Sequence, residues 1–193
     1  MNACLANSIK KICHLSSTAA IGKNNKDAKI SESTKWENSE QNSHYAKSKY
    51  LAELEVWRGI EEGLNAVIVN PTIILGPGDW DKSSAKLFKQ VWKHSSFYPN
   101  GFFHYVDVRD VSTICIKLLF STVQSERFIL DKGTISYFDF FYKAAKQFQV
   151  KIPSIKIPSF IFSFLWRFEK IRSLITSHTV SYTHLTLPTT PYV

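Results

Sequence analysis

Residues 42–71 read NSHYAKSKYLAELEVWRGIEEGLNAVIVNP, and the order of signals in this stretch decides the fold class. Asn42 or Ser43 offers a side-chain oxygen to cap a helix running to Glu62, and Gly63 stands where a helix C-terminus closes. The run NAVIVN (65–70) is short, apolar and β-branched, which predicts a buried strand ending at Pro71. Upstream, KKICHLSS (10–17) predicts another short buried strand, joined to the helix by a polar loop over residues 22–41. Downstream, Gly76-Pro77-Gly78 marks a turn. The spacing then predicts a helix over 83–93, a strand over 102–107, a helix over 108–120, a strand over 126–130 and a helix over 137–148. Strands alternating with helices predict an α/β fold with a parallel sheet. From Pro153 the chain turns apolar and predicts a smaller helical subdomain.

Composition excludes several classes. With 44% hydrophobic, 14% aromatic and 21% charged residues, the 193-residue chain is not a disordered tail, a collagen-like chain or a coiled coil. The net charge of +8 suits a polyanion, a phosphate-bearing ligand or no special partner equally well. Cys4, Cys13 and Cys115 form no CxxC pair and no zinc-ligand spacing, so a reducing compartment and no metal are expected. The first residues lack a basic region followed by an apolar run, and the apolar window PSFIFSFLWRF (158–168) is about half a membrane span. A cytoplasmic protein without a membrane partner is the expectation. The last fourteen residues, VSYTHLTLPTTPYV (180–193), hold no Asp, Glu, Lys or Arg and resemble the conceptual translation of a sequencing adapter, so they are set aside in fold reasoning.

The chemistry-bearing pattern is a Tyr-x-x-x-Lys pair, Tyr45 and Lys49, near the start of the long helix. Four residues apart on a helix, the two side chains share one face. A phenol is a poor base at neutral pH, but an adjacent ammonium favours the phenolate and makes it usable as a general acid or base at a hydroxyl or carbonyl. Ser17 ends the preceding strand, at the carboxyl edge where ligands of such sheets sit, and its hydroxyl can hold the oxygen that Tyr45 protonates. A second copy of the spacing, Tyr142 and Lys146, has no serine-ended strand before it and reads as a solvated helix face. His14 reads as a packed strand histidine, and Asp110 as the acid anchoring the start of the helix at 108. His104, Asp107, Arg109 and Asp110 form a mixed-charge cluster beside the expected substrate side. Trp57, Trp80, Trp92 and Trp166 read as packing, and Lys82, Lys86, Lys89 and Lys93 as one basic helix face.

Four stretches in this order, HLSSTAAIG (14–22), YAKSKYLAE (45–53), VIVNPTIILGPGD (67–79) and YVDVRDVS (105–112), resemble the extended short-chain dehydrogenase/reductase superfamily. The resemblance is to its NAD-dependent epimerase/dehydratase, dihydroflavonol-reductase-like branch, and it covers roughly residues 4–175. It implies the C-terminal portion of a Rossmann-type fold: a partial catalytic domain over 1–135 and a helical substrate-binding region over 136–179, with residues 180–193 set apart as the artefactual tail or, alternatively, a genuine C-terminal strand or tail. It implies an NAD(P)-dependent oxidoreductase or epimerase acting on a hydroxyl or carbonyl carbon of a small molecule, sugar-nucleotide or ketone/aldehyde in type. Ser17 then polarises the substrate oxygen, Tyr45 is the acid/base, and Lys49 tunes the phenol and holds the nicotinamide ribose. Pro71-Thr72-Ile73 matches the turn whose backbone contacts the nicotinamide carboxamide. NAD or NADP is the cofactor, a small molecule the partner, no nucleic acid is expected, and a homodimer stays open.

Two departures qualify the match. The seven glycines, at 22, 59, 63, 76, 78, 101 and 133, form no dinucleotide-binding turn. In the family that turn lies upstream of the serine strand, whereas here the strand begins close behind a stretch, NACLANSIKK (2–11), that resembles the preceding helix, so a truncated start is expected. Thr18 and Ala19 also stand where the superfamily's dehydratases carry carboxylates, which favours reduction, oxidation or epimerisation over dehydration. The competing reading is a non-catalytic, degenerate family member that binds a polyanion such as RNA. The missing glycine turn favours it, and the retained Ser17, Tyr45 and Lys49 oppose it.

Overall fold

The structure is a computed structural model and describes residues 1–22, 30–39 and 42–157. Its elements are α1 (Asn2–Ala6), β1 (Ile12–Leu15), a 3-10 turn (Thr18–Ile21), α2 (His44–Glu61), β2 (Ala66–Pro71), β3 (Ile73–Leu75), α3 (Ala85–Trp92), β4 (Phe97–Pro99), β5 (Phe102–Asp107), α4 (Val108–Leu119), β6 (Glu126–Leu130), β7 (Gly133–Ser136), α5 (Tyr137–Phe148) and β8 (Ile155–Ile157). Two compact units share them. Of the described residues, one comprises 1–22, 30–39, 42–76 and 104–133; the other comprises 77–103 and 134–157.

The first unit is built on the parallel sheet β1-β2-β6. Ile12 to Leu15 pair with Ala66 to Val69, and Val67 to Pro71 pair with Glu126 to Leu130. All six residues of β2 are buried, as the apolar run AVIV requires of a central parallel strand covered on both faces. Side chains alternate across a strand, and the two faces take different partners. Ala66 and Ile68 pack with Val56 and Leu64, joined by Ile12 and Trp57. Val69 packs instead with Val106, Val111 and Leu130, joined by Cys13 and Cys115. One sheet face therefore belongs to α2 and the other to α4. Ser43 caps α2, its Oγ accepting from the Ala46 N–H at 3.1 Å. Beside this sheet, β3 runs parallel to β5, with Ile73 to Leu75 opposite Tyr105 to Asp107.

The second unit holds α3, α5 and the parallel pair β4-β8, with Phe97 to Pro99 opposite Ile155 to Ile157. Ring contacts fill it: Phe88 meets Phe140 at 5.1 Å, Phe103 meets Tyr137 at 4.7 Å, and Trp92 meets Phe148 at 5.7 Å. Burial pushes the Tyr137 phenol up to about 12.

Four short strands, β3, β4, β7 and β8, are absent from the sequence reading. Each has three or four residues, too few for a period to show. The helical expectation from Pro153 is corrected at residues 155–157, where Ile-Lys-Ile pairs with β4. The segment 158–168, Trp166 and the 180–193 tail lie outside the described residues. Asp110 lies in the first turn of α4, as expected of an acid at a helix start, and Asp107 supplies the cap, its carboxylate accepting from the Arg109 N–H at 2.8 Å. Hydrogen bonds from the Arg109 side chain and backbone hold the Asp107 carboxyl down to about 2.

Candidate active site

The chain leaves β1 through Ser16 and Ser17 and turns at once. Ser17 has extended backbone, and its Oγ accepts from the Ala19 N–H at 3.2 Å, capping the 3-10 turn. Its hydroxyl thus stands at the carboxyl edge of the parallel sheet. Thr18 Oγ1 donates to the Pro71 carbonyl at 3.4 Å, so the turn after β1 meets the end of β2. Thr72 turns inward: its N–H and its hydroxyl both donate to the Leu130 carbonyl, at 3.0 and 3.2 Å, and the hydroxyl also reaches Asp131 Oδ1 at 3.3 Å. Asp131 pairs in turn with His104 Nδ1 at 2.9 Å.

Tyr45 is the second residue of α2, and Lys49 follows one turn later; both are half-buried. Burial first, and the Lys49 charge second, push the His14 imidazole below its ordinary value, while Glu53 pulls the other way. His14 Nε2 is buried without a hydrogen-bond partner among the described residues, as a packed strand histidine.

Four residues missed by the sequence reading occupy the space between α2 and the sheet. Glu53 is 2% exposed and Asn70 fully buried. Glu53 Oε2 accepts from Ser16 Oγ and from Asn70 Nδ2, each at 2.8 Å. Glu53 Oε1 accepts from Arg127 at 3.0 Å and from the Trp57 indole at 3.4 Å. The Asn70 amide also donates to the Ser17 carbonyl at 2.9 Å. Two signals pointed here: Glu53 continues the Tyr45–Lys49 spacing by one more turn, and Arg127 is a charge inside the strand ERFIL. Beside this network lies a cavity of about 320 Å³, walled in part by Trp36, Tyr50, Trp57 and Arg127. Trp36 and Tyr50 stack there at 4.4 Å. Ser17, Tyr45 and Lys49 are not among its walls.

The other candidates resolve locally. Lys82 pairs with Asp79 and Lys89 with Asp81 on the solvated face of the second unit. Lys146 lies over the Tyr142 ring at 4.8 Å, on α5. Among the described residues no cluster of His, Cys, Asp or Glu is arranged to hold a metal, and no helix is long and apolar enough to cross a membrane.

Known proteins supply the family. The model of the NAD dependent epimerase/dehydratase family matches residues 1–127. Sterol demethylase protein B of Methylococcus capsulatus is 28% identical over 127 residues, which are 63% of this chain and 38% of that protein. Among solved structures, gox2253 is 28% identical with a TM-score of 0.73, the alignment covering 90% of this chain and 53% of the other. A nucleoside-diphosphate-sugar epimerase, PA4631 from Pseudomonas aeruginosa, is 16% identical with a TM-score of 0.76, over 95% of this chain and 65% of the other. The chain therefore spans between about a third and two thirds of the length of the proteins it resembles. With the Rossmann-type parallel sheet and the family match over residues 1–127, the chain belongs to the NAD dependent epimerase/dehydratase family.

Proposed function

We propose that this chain is the catalytic portion of an NAD(P)-dependent oxidoreductase or epimerase that interconverts a hydroxyl and a carbonyl on a small molecule. The family match over residues 1–127 carries the reading, because that span holds Ser17, Tyr45 and Lys49. The Ser17 hydroxyl holds the substrate oxygen, and Tyr45 gives its phenolic proton to that oxygen during reduction and takes it back during oxidation. Lys49, one turn along the same helix face, reaches the nicotinamide ribose. The nicotinamide, when bound, supplies or accepts the hydride.

The residues present suit the nicotinamide end of such a cofactor. Tyr45 and Lys49 line one half-buried helix face, and the Pro71-Thr72-Ile73 turn at the sheet edge is read as the backbone that contacts the carboxamide. Thr18 and Ala19 place no carboxylate beside Ser17, so the set lacks a base for removing a ring proton. Reduction, oxidation or epimerisation is supported over dehydration, on a sugar-nucleotide or a simpler ketone or aldehyde. In this reading residues 1–135 carry the catalytic part and 136–179 contribute to the substrate side.

The test is Tyr45→Phe, which removes the proton and little else. Turnover of a carbonyl substrate with NADH or NADPH is expected to fall by about 10²–10³-fold, with nucleotide affinity within about threefold of wild type. Near-normal turnover would refute the role of Tyr45.

A further inference from the structure

Glu53 lies eight residues after Tyr45 and four after Lys49, on the face of α2 that carries both. A buried carboxylate is costly unless its lone pairs are met, and here both oxygens are met by donors. The donors come from separate elements: Ser16 follows β1, Asn70 lies in β2, Arg127 in β6 and Trp57 in α2 itself. The turn holding Ser17 is gripped twice. Its Ser16 side chain donates directly to Glu53, and its Ser17 carbonyl accepts from the same Asn70 amide that Glu53 orients.

We propose that Glu53 is a positioning residue, holding the Ser17 turn in register with the Tyr45–Lys49 face of α2 through Ser16 and Asn70, with Arg127 as counter-charge. The inference rests on the reading of Ser17 and Tyr45 as the groups at the reacting oxygen. Glu53 acts through its neighbours, since its carboxylate is enclosed by protein donors. A glutamine of equal shape does not substitute. Whichever way its amide turns, the NH2 faces an N–H donor, either the Asn70 amide or Arg127 and Trp57.

The deciding experiment is hydrogen–deuterium exchange on the full chain, comparing wild type, Glu53→Gln and Ser16→Ala. Amides of residues 16–22 are read against those of β2 as an internal reference. In Glu53→Gln the turn is expected to exchange at least about tenfold faster, with a clearly smaller change in β2, as a local opening requires. A purely structural role raises exchange equally across both segments. If Glu53→Gln does not fold, Ser16→Ala, which keeps the Glu53–Arg127 pair, decides by the same ratio. A turn that is unchanged, or that changes only in step with β2, overturns the proposal.

Turnover is a separate readout. In an active protein Glu53→Gln is expected to lower kcat by about tenfold while the nucleotide KM moves less than about threefold. A wild type without turnover counts against the proposed reaction, and the exchange ratio still decides the clamp.

Discussion

His14 lies in the middle of β1, on the sheet face it shares with Ser16 and across from Lys49 and Glu53. Burial and the Lys49 charge keep its imidazole neutral to lower pH than in the unfolded chain. The unfolded chain therefore binds the proton more readily. The associated stability is present above the ordinary value near 6.5 and is lost as pH falls through the lower folded value. Replacing the ring by an apolar side chain abolishes this titration. Urea midpoints measured at about pH 7.5 and about pH 5.5 are expected to differ less in His14→Leu than in wild type. Equal acid losses in the two proteins would show that His14 does not control this limb. Cys13, its neighbour in sequence, points to the other face; burial and the nearby Cys115 push its thiol up to about 11. One residue along a strand thus separates the face that α2 covers from the face that α4 covers.

At the scale of elements, the glycine turn after β3 shows how one motif carries two different requirements. Gly76 has an ordinary backbone, but a Cβ there lies 2.2 Å from Val108 Cγ1 at the start of α4. Gly78 has open space around it. Gly76→Ala must push Val108 away and is expected to cost about 1–3 kcal/mol, whereas Gly78→Ala stays within about 0.5 kcal/mol. Equilibrium denaturation of the two variants checks the contrast, and equal costs would refute the packing explanation. The stretch Gly76-Pro77-Gly78 was legible as a turn, since composition marks a chain reversal. Which glycine is indispensable was not, because that depends on a contact between residues 32 positions apart.

At the scale of the molecule, the described residues pass between the two compact units three times, after Gly76, Phe103 and Gly133. A sequence scan divides a chain into contiguous blocks, so this interleaving was out of its reach. The net charge of +8, by contrast, is a property of the whole chain that composition states directly. It predicts weak, sequence-independent retention on a polyanion: binding to heparin at about 50 mM NaCl and release by about 0.3 M, with no preference among nucleic acid sequences. Retention beyond about 0.5 M, unaffected by NAD or NADP, would instead favour the polyanion-binding reading of this chain.

Residues close together in the chain decided most of what was legible. The helix over 44–61, the buried strand ending at Pro71, and the strands at 102–107 and 126–130 each announce themselves by period, cap or apolar run, because hydrogen bonding and burial act locally. The Tyr45–Lys49 pair is local too, being one turn of one helix. The Glu53 network is not. Ser16, Glu53, Asn70 and Arg127 lie up to 111 positions apart. They meet only because parallel pairing of β1, β2 and β6 puts alternate side chains on the face that α2 covers. Strand register, a tertiary property, decided which polar groups share that buried space.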